Sequence, residues 1–531
     1  MSSVAQFQLV LLLLAVAVCL ELLAQRVKMP TAAALILGGI VLAVIPGTPD
    51  ITLDPDLALV LFLPPLLMSS AYFTVWRDFR DNLRIILQLA VGAVAFTTFA
   101  VGVAAHWIMP ALPWAACFAL GAIVSPPDAV AAKAVLQRLP LPPRVVVLLE
   151  GESLVNDASG LVLFRVAVAA ALTGAFDAKQ AAISFFVLAI GGVLTGVAFG
   201  FVTVAVVRRL RAAELSIVAS LLAAWASYAG AEAIGVSGVL STVACGLVLG
   251  WRQHETLSAT IRTQAGAVWQ VVVFVLESLV FILIGLSLRH ILLRPGGFAA
   301  LWTNLPAIGV VLAAVIVSRF VWIFPATYVP RALVPALRRR DPYPPASIPL
   351  VMSWAGMRGV VSLAAALTLR QDFPGHDFIV LATFAVILVT VLVQGATLAP
   401  LIRAFDLSRF TQQRAKTLSE AAARSRMAQA QVAEVERRSL GPDGSHRHPR
   451  LMEQYGFRAR ASERFEAADG GLLDARAEHF TVVLAASAAG RAEILRLHRA
   501  GQIHDRVLHA LEGELDLEEL LARRFLQLEE T

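Results

Sequence analysis

The stretch LEGESLVNDASG, residues 149–160, gathers Glu150, Glu152, Ser153, Asn156 and Asp157 inside an otherwise strongly apolar segment. Carboxylate, amide and hydroxyl groups are hard oxygen ligands, which suit a group 1 cation and offer nothing soft for zinc or copper. Residues four apart share a helix face, so Glu152 stacks with Asn156 while Ser153 stacks with Asp157. Counted from Arg144 at about 1.5 Å per residue, Glu152 lies roughly 12 Å along the helix and Asp157 roughly 20 Å, near the middle of a bilayer. A charge at that depth costs about 2.5–3.5 kcal/mol on insertion scales, so it faces protein, finds a partner or serves an ion or proton path.

Four more charges sit at comparable depth. Asp128 follows the double proline of IVSPPDAVA (123–131), Glu277 lies in VLESLVFILIGL, Arg319 in VIVSRFVWIF (315–324) and Arg358 in SWAGMRGVV (353–361). Asp128, Glu152, Asp157 and Glu277 are thus set against Arg319 and Arg358. If two acids pair with the two arginines, at least one carboxylate has no fixed cation. Burial then makes it hold a proton or a metal cation, but not both, which is the physical core of an antiporter. The blander alternative, six ion-pair struts, suits the arginines best and Asp157 least. Glu150 lies nearer the helix end, at an entrance or snorkelling to the surface.

These residues need a frame to hold them, and composition says which. The 531 residues are 58% apolar and 15% charged, with mean hydropathy +0.73, whereas a soluble chain has about 25% charged residues. The net charge of +6 reads as membrane topology, not as a nucleic-acid footprint, which needs a basic face on a soluble domain. Cys19, Cys117 and Cys245 fall in apolar runs, as small hydrophobes rather than a disulfide or zinc framework. The run Val4 to Ala24 lacks a basic leader and a small-residue cleavage motif, and is read as a retained helix. No Gly-rich phosphate loop argues for a nucleotide-driven pump. His106 is the one histidine well inside the apolar runs and has no serine–acid constellation near it in sequence. An enzyme and a resident cofactor are therefore not expected.

Thirteen apolar runs approach the length needed to cross a bilayer: 4–24, 29–46, 54–73, 84–109, 111–135, 144–173, 181–207, 214–234, 237–251, 267–289, 302–329, 345–369 and 377–404. Taken alternately, the loops on one side carry 17 Lys and Arg and those on the other carry four: Lys179, Arg289, Arg294 and Arg370. The bias puts the first set in the cytoplasm, with the N-terminus outside and the C-terminal region inside. The fifth run is interrupted by Pro126 and Pro127, and the twelfth by glycines flanking Arg358. If runs 1–6 and 8–13 are two halves joined by run 7, the interrupted runs hold equivalent places in oppositely oriented repeats. Matched broken helices in an inverted repeat point to a transporter's midplane site and favour a carrier over a pore. In run 7, Gly192, Gly196 and Gly200 recur every four residues, a pattern for close helix packing inside the protein or, less simply, at a dimer seam.

From Asp406 the composition shifts to Ala, Arg, Glu and Leu with helical periodicity, interrupted by GPDGSHRHP (441–449). Two domains are expected: 1–405, the membrane domain, and 406–531, a helical cytoplasmic tail. His446 and His448 read as a solvated loop. The fold class is therefore an all-α polytopic membrane protein of about 13 transmembrane helices, with inverted six-helix repeats, broken helices 5 and 12 and a helical tail.

The SPPD break, EGESLVND, the Ser318–Arg319 pair and WAGMRGVVSL, in that order along the chain, resemble the monovalent cation:proton antiporter family, the bacterial sodium/proton antiporters related to animal sodium/proton exchangers. The resemblance spans roughly residues 10–405, and the tail segment 491–524 is also similar to tails of bacterial members. It implies a multi-pass protein of the bacterial inner membrane, a homodimer with a dimerisation part and a moving core, and Na⁺(Li⁺)/H⁺ antiport without a cofactor. By match to the Asn-Asp motif, Asp157 would carry either cation or proton, and Asn156 would mark the electroneutral branch. Ser153 and Asp128 would complete or hydrate the cation site. Glu152 would pair with Arg319 and steady Asn156, while Arg358 would offset helix-end charge where helices 5 and 12 cross. The tail would bind a regulator or set the pH response. Two departures bear on ion preference: Pro127-Asp128-Ala129 stands where many relatives have Thr-Asp-Pro, and Ser69 or its neighbour in FLPPLLMSSAYF (62–73) stands where a carboxylate is common. K⁺/H⁺ exchange through the same residues is the nearest alternative. A passive cation channel or tail-gated sensor, with structural carboxylates, is the alternative from another class.

Overall fold

Helix α6 shows how this chain builds a long membrane helix around polar residues. It runs Pro143–Thr173. Pro143 fits the first turn, where its fixed φ is already helical and no donor is missed. Gly174 ends the helix in a left-handed conformation (φ 70°), its N–H donating to Ala170 O at 3.0 Å, a conformation that glycine adopts without penalty. Between these ends, Gly151 and Gly160 open the helix surface to its neighbours. A Cβ on Gly151 would meet Ile86 Cδ1 at 2.5 Å, and one on Gly160 would strike Pro126 Cγ.

The computed structural model describes residues 3–27, 29–45, 55–128, 141–174, 177–292, 297–405, 407, 420–441, 445–467 and 473–527. In chain order the first unit contains α1 (Ser3–Val27), α2 (Thr31–Val44), α3 (Pro55–Phe73), α4 (Trp76–Ile108), α5 (Trp114–Val124), α6, α7 (Ala178–Val207), α8 (Ala213–Ala233), α9 (Gly238–Thr256), α10 (Ala259–Leu292), α11 (Gly297–Leu333), the short α12 (Pro335–Arg340), α13 (Ser347–Trp354), α14 (Val360–Leu367) and α15 (His376–Ala404). Among the described residues eight helices are long and apolar enough to cross a membrane: α1, α4, α6, α7, α8, α10, α11 and α15. Shorter apolar helices include α2, α5 and Leu59–Phe73 of α3. The chain is a multi-pass membrane protein.

Several helices outrun their apolar windows. The fourth run, expected over 84–109, begins at Trp76, because WRDFRDNL is charged enough to leave the bilayer yet remains a good helix. The twelfth run is two short helices, α13 and α14, with 355–359 between them. The fifth is α5 followed by an unwound stretch to Asp128. The rest of that run and the start of the loop after it, with Lys133 and Arg138, lie outside the described residues, as do Arg294, Asp406 and Pro442–Gly444. α4 and α15 each contain a π-helical turn, Gln88–Ala93 and Thr390–Gln394, a feature invisible to hydropathy and frequent at functional sites.

Packing sorts the membrane helices into two bundles. α1, α2, α3, α7, α8, α9 and α10 pack mainly on one another, as do α4, α5, α6, α11, α13, α14 and α15. Thinner contacts, such as α3–α14 and α6–α9, join the bundles. Small residues set the closest approaches. Gly192, Gly196 and Gly200 of α7 lie on α9, where a Cβ on Gly192 would meet Ser237 O at 2.6 Å and one on Gly196 would strike Ser241 O. The glycine pattern of run 7 therefore serves packing within its own bundle. One apolar cluster lies within the second bundle, another within the first, and the largest runs across both.

A second compact unit, Gln412–Thr531, holds α16 (Glu420–Ser439), α17 (Pro449–Ala467), α18 (Leu473–Arg499) and α19 (Asp505–Gln527). α18 and α19 form a hairpin in which Phe480 stacks on Phe525 (4.5 Å) and Arg491 bonds Asp516 and Glu519. His446 and His448 are exposed.

Candidate functional site

The polar residues of α6 divide by partner. Glu152, 1% exposed, receives Arg319 of α11, 2% exposed, through two hydrogen bonds of 2.7 and 3.1 Å. Arg319 also donates to Met352 O of α13 at 3.1 Å. Two parallel N–H···O bonds are the geometry for which guanidinium is suited, and they join three helices of the second bundle.

One turn on, Asn156 is fully buried and its Nδ2 donates to Pro127 O at 2.6 Å. α6 is thereby fastened to the unwound end of α5, where proline has removed a donor and left a carbonyl exposed. The Oδ1 of Asn156 has no hydrogen-bond partner among the described residues. The break of α5 meets the break between α13 and α14: Asp128 N–H donates to Met357 O at 2.7 Å. The Asp128 carboxyl packs directly on Gly359, where a Cβ would collide with it. That close approach accounts for the second glycine of the GMRG stretch.

Arg358, 1% exposed, lies at the crossing. Its guanidinium donates to Val124 O at 2.9 Å, Ser125 O at 3.4 Å and Gly356 O. Its main-chain N–H donates to Thr390 Oγ1 at 3.1 Å. Val124 and Ser125 end α5, where unpaired carbonyls carry partial negative charge, so a guanidinium is suited to that place.

Asp157 is 8% exposed, and among the described residues no arginine, lysine or hydrogen-bond donor is paired with it. The Asp128 charge lies near enough to bear on it. Ser153 is half-buried one turn earlier on the same helix, as is Glu150 near its start. Glu277 lies on α10, in the other bundle, partly exposed. The structure thus brings Asp128, Glu152, Asn156, Asp157, Arg319 and Arg358 to one crossing and leaves Glu277 on a different element.

Two sets of residues escaped the sequence reading. Thr97, Thr98, Ser125 and Ser318 bring hydroxyls of α4, α5 and α11 together, with Thr98 bonding Ser125 at 3.1 Å and Ser318 bonding Thr97 at 3.1 Å. At the start of α6, Arg144 clasps Asp341 at 2.6 and 2.9 Å and bonds Asn82 at 3.1 Å, while Arg331 reaches the same carboxylate at 2.6 Å. Partial burial opposes ionisation of Asp341, but the hydrogen bonds and charges of Arg144 and Arg331 outweigh it and hold its carboxyl below the usual range. The one available signal was a lone Asp closing the run RRRDP.

Residues 10–404 match the family described as "Sodium/hydrogen exchanger, transmembrane". The chain is similar to the "Sodium, potassium, lithium and rubidium/H(+) antiporter" of Bacillus pumilus, 34% identical over 391 residues, which is 68% of this chain and 56% of the relative. It therefore spans little more than half the length of that protein. An uncharacterized Na(+)/H(+) exchanger of Mycobacterium tuberculosis is 31% identical over 528 residues, covering 96% of this chain and 94% of the relative. Among solved structures, the sodium proton antiporter MjNhaP1 of Methanocaldococcus jannaschii superposes with a TM-score of 0.60 at 19% identity, covering 77% of this chain and all of that one. This likeness speaks to the fold.

Proposed function

The chain belongs to the sodium/hydrogen exchanger family, and from that premise we propose that it is a secondary antiporter exchanging Na⁺ or Li⁺ for H⁺, with Asp157 carrying one or the other. The observation that supports this reading most is Asp157 itself, buried beside two broken helices with no fixed partner among the described residues. A buried carboxylate in that position is stable when neutralised, by a proton or by a bound cation. Arrival of one displaces the other. Asp157, Asp128 and Ser153 are the hard ligands for the cation, and carbonyls freed by the breaks supplement them. Glu152 and Arg319 brace the helix, Asn156 positions it against the α5 break, and Arg358 steadies the crossing.

In this reading the membrane domain crosses thirteen times as inverted repeats. It sits as a homodimer in the bacterial cell membrane, with the N-terminus outside and the tail regulating from the cytoplasm. One cation exchanges for one proton, by the Asn156–Asp157 match. The name of the Bacillus relative includes potassium, which keeps K⁺/H⁺ exchange through the same site as the second reading.

The test is proton flux in proteoliposomes with an imposed ΔpH, adding Na⁺, Li⁺ and K⁺ in turn. Wild-type protein dissipates the ΔpH with Na⁺ or Li⁺, and Asp157→Asn abolishes the response. A response to K⁺ alone moves the assignment to the second reading. Full exchange by Asp157→Asn removes the carrier role.

A further inference from the structure

The ion pairs of α6 differ in what they join. Glu152–Arg319 and Arg144–Asp341 stay within the second bundle. Arg165, eight residues beyond Asp157 and about 12 Å further along the helix, reaches across to the first bundle instead. It meets Glu232 at the end of α8 at 3.2 and 3.4 Å. Glu232 is already anchored there, for its Oε1 also accepts the Gly238 N–H at the start of α9 at 3.2 Å. Gly235 (φ 75°) makes the tight turn that brings the end of α8 onto the start of α9. The carboxylate therefore belongs to the α8–α9 turn, and Arg165 is the partner that can leave.

We propose that the Arg165–Glu232 pair is a latch across the outer seam between the two bundles, holding α6 against the α8–α9 turn while Asp157 is closed to that side. The proposal rests on the antiport reading given above, with alternating access as its mechanism: a moving core exposes Asp157 to one side of the membrane at a time. Both side chains are partly exposed, 54% for Arg165 and 33% for Glu232. A pair so exposed shifts an equilibrium by up to about five-fold. Such a latch biases the closed state and still releases on every cycle. At the opposite end of α6, Arg144 is fastened to Asn82 of its own bundle and to Asp341, whose carboxylate Arg331 of α11 also holds. α6 thus travels with its bundle, and the seam opens at Arg165.

The experiment uses the full chain with Cys19, Cys117 and Cys245 replaced and a reporter, Leu161→Cys, one turn outward of Asp157. Leu161 is partly buried against the apolar clusters. A membrane-impermeant maleimide is applied from outside. Arg165→Gln and Glu232→Gln should each raise the labelling rate about three- to five-fold, and Glu232→Gln keeps the oxygen that accepts Gly238. The double variant should label no faster than either single, because both remove the same contact. Unchanged rates in the single variants, or increases that multiply in the double, would overturn the latch. Should a variant be poorly folded by size exclusion, the reporter protein alone gives the answer. High salt should speed its labelling through screening, and salt-independence would count against the pair. Labelling reads the seam whether or not Asp157 carries the ion. Failure here and failure of the carrier assignment in the Asp157→Asn flux assay are separate results.

Discussion

The two helix breaks that meet in the membrane domain carry opposite charges, and their surroundings answer them differently. At the α13–α14 break Arg358 spreads its guanidinium over the carbonyls of Val124, Ser125 and Gly356. At the α5 break Asp128 is fastened through its main chain to Met357 and packs its carboxyl on Gly359. Asp157 stands beside it with no paired donor among the described residues. A permanent cation is matched to fixed dipoles that cannot leave, whereas the carboxylates are, in the function proposed above, the place where a mobile charge is taken up. Glu152, five residues before Asp157 on the same helix, follows the pattern of the first break, because Arg319 satisfies both its oxygens.

The largest expected effect tests whether Glu152 belongs with the braces. Arg319→Ala strands a buried carboxylate and should cost about 3–5 kcal/mol, seen as loss of folded protein by size exclusion and thermal denaturation. Glu152→Gln with Arg319→Met should recover most of that loss, since paired removal leaves no lone charge. A well-folded, inactive Arg319→Ala would move Arg319 from brace to ion path. Arg358→Lys comes next. It keeps the charge but loses the planar fork, and each lost hydrogen bond to the charged group is worth about 1.5–3 kcal/mol. Stability equal to wild type would mean that charge alone matters at that break.

Gly359→Ala sharpens the comparison from the acidic side. The added methyl displaces the Asp128 carboxyl, an overpacking cost of about 1–3 kcal/mol. The apparent KM for the cation should rise more than kcat falls. An unchanged KM would separate Asp128 from the cation site. The smallest effect lies away from the breaks. Asp341 titrates below the usual carboxylate range in the folded protein. Its contribution is therefore complete above about pH 4, the ordinary aspartate value, and is lost as pH falls through the depressed folded value. Asp341→Asn should flatten that acid limb of the thermal-stability profile, and an identical limb would show that the clasp contributes nothing.

The expense of burying charge makes much of this candidate site legible in the sequence. Two arginines and four acids at bilayer depth had to find partners or serve an ion or proton path, with at least one acid left over, and prolines and glycines marked where helices would break. What stayed hidden has no residue signature. The resemblance points Arg358 at helix-end charge, but which carbonyls it takes follows from the fold alone, since carbonyls are present at every position and exposed only where α5 unwinds. Gly359 reads as a helix breaker, and its contact with Asp128 follows from the crossing alone. Asp341 reads as a solvated loop acid until α6 and α11 bring Arg144 and Arg331 to it. Helix ends were missed for a related reason. Hydropathy reports where lipid begins, while α4 and α10 continue as helix well into the charged flanks.

Proton release on cation binding tests the exchange at Asp157 most directly. Purified protein in detergent and weak buffer, near the midpoint of its pH response, receives Na⁺ or Li⁺ while a pH indicator is followed. Wild-type protein should release protons in a saturable manner, approaching one per protomer, and Asp157→Asn should release none while remaining folded. Equal release by Asp157→Asn would contradict the assignment of Asp157 as the group that trades the proton for the cation.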